Sequence, residues 1–100
     1  MSEITTAEAD QRRGSATIVD VREPAETAAG MIPGAVNIPL GQLTSRLGEL
    51  ETGRPVITVC AAGGRSAQAA VDLLVAGYCA DTMAGGMTAW AAEGRPIHKP

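Results

Sequence analysis

The sequence contains no phenylalanine, and Trp90 and Tyr78 are its only aromatic residues. It has one histidine, His98, and two cysteines, Cys60 and Cys79, which do not form a Cys-x-x-Cys pair. These shortages exclude an aromatic platform for stacking nucleotide bases and a zinc site made by this chain alone. Of its 45 hydrophobic residues 18 are alanine, so we predict an aliphatic core with close, alanine-mediated packing.

The chain also lacks an excess of positive charge and a long apolar run. Eight Lys and Arg against eleven Asp and Glu give a net charge of -3, which excludes a general attraction to nucleic acid or anionic lipid. No apolar run approaches the ~20 residues that cross a bilayer, and residues 1–13 have no apolar centre of the secretory type. We therefore expect a soluble, cytoplasmic protein with no nucleic-acid or membrane partner, whose cysteines are thiols at rest.

A chain of 100 residues forms one small core, so we predict a single domain over 1–100 with loose termini at 1–4 and 97–100. Apolar patterns and turn residues predict strands at 16–21, 35–38, 55–59 and 78–82. They predict helices at 6–12, 24–29, 40–50, 66–76 and 86–93. This alternation is typical of the α/β class, with three layers: a mainly parallel sheet of about five strands and helices on both faces.

The segment after the strand at 55–59 combines a thiol, small residues and a cation. That strand is continuous and β-branched, which predicts a central position in the sheet, and ligand sites of such sheets lie beyond the carboxyl ends of the strands. The segment consists of Cys60, Ala61, Ala62, Gly63, Gly64, Arg65 and Ser66. A glycine-rich loop before a helix can form a cradle of N–H groups for an anion, and it lowers the pKa of a thiol placed there. We therefore predict a reactive Cys60, with Arg65 as the cation of the anion site and Ser66 as the N-cap of the helix.

Four short motifs resemble those of the rhodanese family in order and spacing. They are IVDVREP at 18–24, GMIPGAVNIP at 30–39, the loop CAAGGRS at 60–66, and GGMTAW at 85–90. The match runs from about residue 16 to residue 96. The chain departs from the family pattern at Thr27, where an aromatic residue is common, and at Met31, which replaces a usual histidine. The resemblance identifies the chain as a single-domain rhodanese.

What the resemblance implies is sulfur transfer through a persulfide of Cys60, with no metal and no dissociable cofactor. The donor would be a small molecule such as thiosulfate, a persulfide or a polysulfide. The acceptor would be cyanide, a small thiol or a protein cysteine. Ala61 and Ala62 stand where thiosulfate-preferring members often carry cations, so attraction of a dianionic donor is expected to be weak.

Two other functions stay open at this point. The first is a rhodanese-like regulatory or sulfur-carrier module that binds a partner without turnover in free solution. The second is cysteine phosphatase or arsenate reductase activity, whose loops place five residues between Cys and Arg. Here four residues separate Cys60 from Arg65, which favours a sulfur atom over a tetrahedral oxyanion.

Two interpretations stay open for the pair Asp20 and Arg22, and two for Cys79. Asp20 and Arg22 follow the first long strand, where they either support the active-site loop by hydrogen bonds or form a surface ion pair worth at most about 1 kcal/mol. Cys79 either packs in the core, which we favour from the burial preference of cysteine, or resolves the Cys60 persulfide. Trp90 is predicted to fill the core.

Overall fold

The structure is a computed structural model that describes residues 1–100. Five short parallel strands form one sheet in the order β1-β5-β4-β2-β3. Their bounds are β1 Glu3–Ile4, β2 Thr17–Asp20, β3 Val36–Asn37, β4 Val56–Val59 and β5 Ala80–Met83. All four residues of β4 are buried, because the strand lies between β2 and β5 and is covered on both faces. The predicted central position of this strand is confirmed.

The protein has four α-helices, and three of them cover the two faces of the sheet. The four helices are α1 Thr6–Arg12, α2 Pro24–Thr27, α3 Gly64–Val75 and α4 Gly86–Ala92. One buried cluster packs α3 and the segment after β3 against one face, and a second packs α1 and α4 against the other. Successive residues of β2 and β4 alternate between the clusters, as the two-residue period of a strand requires. Trp90 is fully buried in the second cluster, so the three-layer α/β prediction and the core position of Trp90 are confirmed.

The segment predicted as a helix at 40–50 differs from the expectation. It forms two 3-10 segments, Leu40–Gln42 and Thr44–Glu49, with a kink at Arg46. Leu43 and Leu50 are buried, as the leucine spacing requires. Such spacing cannot distinguish an α-helix from shorter 3-10 turns, and the poor helix formers in this stretch, such as Gly41 and Gly48, favour the turns.

Backbone pairing reaches residues near both termini. Ile4 is buried, and β1 extends the sheet by pairing with β5. At the other end, His98 and Met31 exchange two backbone hydrogen bonds of 2.8 Å. The Nε1 of Trp90 donates to the carbonyl of Pro96 at 2.7 Å. Pairing thus ties residues 3–4 and 98 to the domain, and the looseness of the segments 1–4 and 97–100 as a whole stays a prediction.

The helices carry most of their buried apolar residues on the faces that pack on the sheet, and α3 also exposes Val71, Leu74 and Val75. None of the four α-helices has the length and hydropathy needed to span a bilayer.

Candidate active site

Cys60 lies immediately after β4, and its residue is only 1% exposed. The chain then turns through the loop 60–63 into α3, whose N-cap is Gly63. Gly63 has a φ of +119°, a left-handed conformation that a residue with a side chain rarely adopts. Gly64 is already helical and faces open space, so the backbone requires glycine at position 63 but not at position 64. This turn brings the N-terminus of α3 over the thiol.

Hydrogen bonds converge on the sulfur of Cys60. The N–H of Gly63 donates to Sγ at 3.0 Å, and the hydroxyl Oγ of Ser66 lies 3.4 Å from it. Burial raises the pKa of the Cys60 thiol, but hydrogen bonds from the side chain and backbone of Ser66 and from the N–H of Gly63 outweigh burial. The N–H of Ala62 acts in the same direction. The pKa of Cys60 is therefore lowered from its ordinary value, which increases the thiolate fraction near neutral pH.

The prediction that Ser66 is the N-cap of α3 was wrong. The helix begins two residues earlier, at Gly64, and its N-cap is Gly63. Ser66 is the third helical residue, fully buried, and its hydroxyl accepts a hydrogen bond from Thr82 Oγ1 at 2.8 Å. Its backbone carbonyl accepts another from Thr58 Oγ1 at 2.7 Å. Thr58 and Thr82 belong to the site although the sequence analysis did not select them. The only signal was a threonine within each of two buried strands.

The N-terminus of α4 holds the other side of the loop. The N–H of Met87 donates to the carbonyl of Cys60 at 2.8 Å, and that of Thr88 donates to the carbonyl of Ala61 at 3.0 Å. Gly86 has a φ of +57°, and a Cβ there would overlap the carbonyl oxygens of Cys60 and Ala61. The second glycine of the GGMTAW motif thus allows the helix to approach the loop backbone closely.

Arg65 does not point its guanidinium into the loop as an unpaired cation. It forms a bidentate ion pair with Glu26 of α2, with Nη1–Oε1 and Nη2–Oε2 distances of 2.6 and 2.9 Å. Glu26 also accepts a hydrogen bond from the N–H of Glu23, in a capping box that begins α2. A cation is unfavourable at the positive end of a helix dipole, so an anion is expected beside Arg65. That anion is the carboxylate of Glu26, 39 residues away in sequence.

Asp20 and Arg22 form a buried ion pair rather than a surface one. The guanidinium of Arg22 donates to both carboxylate oxygens of Asp20, with an Nη2–Oδ2 distance of 2.8 Å. Arg22 also donates to the carbonyl of Gly30 at 2.8 Å. The pair ties the end of β2 to the turn that follows α2, and neither side chain hydrogen bonds to the loop 60–66. Arg22 Nη1 also donates to the backbone carbonyl of Glu26 at 3.5 Å, so the pair contacts the helix that carries the partner of Arg65.

Two grooves lie at opposite ends of the strands, one beyond their carboxyl ends and one at their amino ends. One lies beside the loop, with Arg22, Ala61, Met87 and Thr88 in its walls. The other includes Cys79, which is exposed, so the predicted packing of Cys79 in the core was wrong. Cys79 pairs with β4 at its first residue, whereas Cys60 follows its last, a separation of about 13–16 Å along a strand. This distance is too large for Cys79 to resolve a persulfide on Cys60.

Comparison with known proteins identifies the family of this chain. Residues 4–93 match the sequence profile of the rhodanese-like domain. The chain belongs to the rhodanese family. A sulfurtransferase of Allochromatium vinosum is 42% identical to this rhodanese-like chain over 84 residues, which are 83% of the chain and 78% of that protein. The thiosulfate sulfurtransferase 16 of Arabidopsis thaliana chloroplasts is 35% identical over 94 residues, covering 78% of this chain and 76% of that protein.

The fold is shared with a solved structure of the same family. A rhodanese-related protein from Thermoplasma volcanium superposes with a TM-score of 0.94 at 32% sequence identity, and the match covers 100% of both chains. The family and the fold expected from the four motifs are therefore confirmed.

Proposed function

We propose that this rhodanese-like chain is a sulfurtransferase that carries a sulfane sulfur on Cys60. The observation that carries the proposal is the sulfur of Cys60 at the N-terminus of α3, with a backbone N–H 3.0 Å away and a hydroxyl 3.4 Å away. This arrangement favours an anion on sulfur and contains no side chain suited to general acid or base catalysis. The similarity to proteins named as sulfurtransferases supports the same chemistry.

The first half-reaction loads the enzyme. The Cys60 thiolate attacks the outer sulfur of a donor such as thiosulfate, and a new S–S bond forms. The S–S bond of the donor breaks, and its electron pair leaves with sulfite. A thiolate and a dianion are thus converted into a Cys60 persulfide anion and a sulfite dianion, so charge and atoms balance. No proton has to move in this step.

The loop can stabilise the product of that step. An S–S bond of about 2.05 Å would carry the transferable sulfur about 2 Å beyond Sγ, toward the N–H groups at the start of α3. Ala61 and Ala62 have no side chain beyond Cβ, so neither can cover this atom. Fixed N–H donors aimed at a developing anion need no rearrangement during the reaction, which is the main advantage of such loops.

The second half-reaction returns the free thiol. A thiolate or cyanide acceptor attacks the outer sulfur, forms a bond to it, and leaves the electron pair of the S–S bond on Cys60. The groove beside Ala61 offers an approach to the loop for a small thiol or for a cysteine of a partner protein. The cycle requires Cys60 to be reduced at rest, which a reducing compartment such as the cytosol maintains.

The other two functions gain less support. A regulatory module that only binds a partner does not need a polarised thiol, whereas here hydrogen bonds lower the pKa of Cys60. A sulfur carrier would use the same Cys60 persulfide and would differ only in lacking turnover in free solution. A phosphatase needs the loop arginine to face the oxyanion, whereas the guanidinium of Arg65 is paired with Glu26. The loop also has four residues between Cys60 and Arg65 rather than five.

Intact-mass measurement tests the proposal directly. The reduced protein is incubated with thiosulfate, with a thiosulfonate, or with an inorganic polysulfide, and its mass is measured before and after addition of cyanide. We expect a gain of one sulfur atom that cyanide removes. The gain should persist in Cys79→Ser, because the exposed thiol lies at the other edge of the sheet, and vanish in Cys60→Ser.

Two results would contradict sulfur transfer by this residue. One is no sulfur gain with any of the three donors, which would leave the binding-module function. The other is a gain that remains in Cys60→Ser but disappears in Cys79→Ser, which would make Cys79 the carrier.

A further inference from the structure

Both cations near Cys60 are already neutralised by carboxylates of this chain. Arg65 is held in a bidentate pair by Glu26, and Arg22 is held by Asp20 in a buried pair. These four charges sum to zero, so a Cys60 thiolate leaves the site with a net negative charge. A donor that approaches the loop therefore meets no free cation.

Glu26 and Arg65 form the pair in this group that a substrate can reach. The side chain of Glu26 is 37% exposed and that of Arg65 is 38% exposed, whereas Asp20 and Arg22 are buried. The carboxylate occupies the planar fork of Arg65, which is the geometry that a sulfonate or sulfate group would need for two parallel hydrogen bonds. Glu26 thus contributes a negative charge and also blocks the one guanidinium at the loop.

Glu26 is fixed in place and stays ionised. The N–H of Glu23 donates to its Oε1 at 3.0 Å, so the capping box of α2 orients the carboxylate toward Arg65. The hydrogen bond from Arg65, followed by that from the Glu23 N–H, lowers the pKa of Glu26 to about 2. The carboxylate therefore remains charged throughout the range in which a Cys60 thiolate exists.

We propose that Glu26 is a selectivity residue, which disfavours dianionic sulfur donors and directs the enzyme toward donors that carry at most one negative charge, such as organic persulfides and thiosulfonates. This inference rests on the proposed function, because it concerns the donor of the same persulfide cycle. The pair between Glu26 and Arg65 makes the loop neutral apart from the thiolate, and the repulsion that Glu26 adds grows with the charge of the donor.

The charge dependence can be measured with two donors that share the reacting bond. Thiosulfate is a dianion and releases sulfite, whereas methanethiosulfonate is a monoanion and releases methanesulfinate. Both present a sulfane sulfur bonded to an oxidised sulfur. A half-exposed charge near the loop is expected to change the rate by about threefold per unit of donor charge, so removing it gives about tenfold for thiosulfate and threefold for methanethiosulfonate.

The experiment compares kcat/KM for the two donors in wild type and in Glu26→Gln, with cyanide as the acceptor. Glutamine retains the hydrogen-bonding role of this position in a capping box, so α2 is expected to form. We expect the gain for thiosulfate to be close to the square of the gain for methanethiosulfonate. The ratio of the two donors within one preparation does not depend on how much of the variant is folded, so partial unfolding cannot produce or hide the effect.

The matched control is Glu49→Gln. It removes the same charge from a bidentate pair with Arg46, in the segment whose Leu47 carbonyl accepts a hydrogen bond from Tyr78 at the far edge of the sheet. We expect its donor ratio to equal that of wild type. Two results would overturn the inference while leaving sulfur transfer intact. One is an unchanged donor ratio in Glu26→Gln, and the other is the same change of the donor ratio in Glu49→Gln. A wild-type protein that no donor converts to the persulfide would overturn both.

Discussion

Replacing Ser66 with alanine isolates the one side chain that hydrogen bonds to the reactive sulfur. As a thiol, Cys60 donates to Ser66 Oγ at 3.4 Å; once Cys60 is ionised, the hydroxyl of Ser66 becomes the donor. Thr82 Oγ1 donates to Ser66 Oγ, so the single proton of Ser66 is free to turn toward either the carbonyl of Gly63 or the thiolate. Ser66→Ala removes that donor and is expected to raise the pKa of Cys60.

The size of the effect follows from one charge-assisted hydrogen bond of unfavourable length. Such bonds contribute about 1.5–3 kcal/mol, and the long S···O distance places this one at the lower end. A loss of about 1.4 kcal/mol reduces the thiolate fraction about tenfold at a pH below the pKa. A thiolate of higher pKa is more nucleophilic, which offsets part of the loss, so the alkylation rate should fall about three- to fivefold.

The assay is the rate of alkylation of Cys60 by iodoacetamide as a function of pH, followed by intact mass. It is made in the Cys79→Ser background, because the exposed second thiol would otherwise react as well. The lowered pKa of Cys60 makes the parent reactive at lower pH than an ordinary thiol, and the Ser66→Ala profile should move to higher pH. At alkaline pH, where both thiols are ionised, the order should reverse and Ser66→Ala should react about threefold faster, because its thiolate of higher pKa is the stronger nucleophile.

Thr82→Val is the control for this measurement. It removes a buried hydroxyl of the same network and is expected to reduce the free energy of unfolding by about 1–3 kcal/mol. Ser66→Ala is expected to cost a similar amount, because it leaves the hydroxyl of Thr82 without its acceptor. Thr82→Val removes no group in contact with the sulfur, so its pH profile should stay near that of the parent. Equal shifts in both variants, or no shift in Ser66→Ala, would refute a direct role of the Ser66 hydroxyl.

Two further predictions concern stability. Gly86→Ala should reduce the free energy of unfolding by about 3 kcal/mol in urea denaturation, because the added Cβ overlaps the loop carbonyls at a positive φ; Gly34→Ala, also at positive φ but in open space, should cost only about 1–2 kcal/mol. Glu26→Gln should be less stable than wild type at pH 7 by no more than about 1 kcal/mol. The pKa of Glu26 is lowered from 4.5 to about 2, so its stabilisation is complete above pH 4.5 and this difference should shrink as the pH falls toward 2. Equal costs at the two glycines, or a Glu26 difference that grows in acid, would contradict these accounts.

The sequence predicts best those features that depend on neighbouring residues. The run of β-branched residues at 56–59 identified the central strand, and the small residues after Cys60 identified a tight loop before a helix. Each is a local pattern with one dominant physical cause. The parallel sheet with helices on both faces followed from the alternation of these elements.

Features that depend on distant partners could not be predicted in this way. Nothing near Arg65 indicates that its partner is Glu26, because the contact exists only once α2 packs beside the loop. The strand β1 has two residues, too few for a periodic pattern, and forms because β5 offers it an open edge. Cys79 was assigned to the core from a general preference for burial, but its position at the amino-terminal edge of the sheet leaves it exposed.

The helix start also shows how one local conformation changes the role of a residue. A serine after two glycines and an arginine is a reasonable N-cap by its sequence. Because Gly63 takes the left-handed conformation and caps the helix itself, Ser66 moves to the third helical position and its hydroxyl turns inward. The residue predicted to begin the helix instead hydrogen bonds to the reactive sulfur.

The central claim is that the Cys60 persulfide is an intermediate, and a single-turnover transfer tests it most directly. The protein is loaded with methanethiosulfonate, freed of donor by gel filtration, and mixed with cyanide, while thiocyanate and intact mass are followed together. We predict one thiocyanate per loaded protein, with loss of the extra sulfur at a rate no slower than steady-state turnover. A loaded protein that keeps its sulfur while turnover with fresh donor proceeds would contradict the persulfide mechanism.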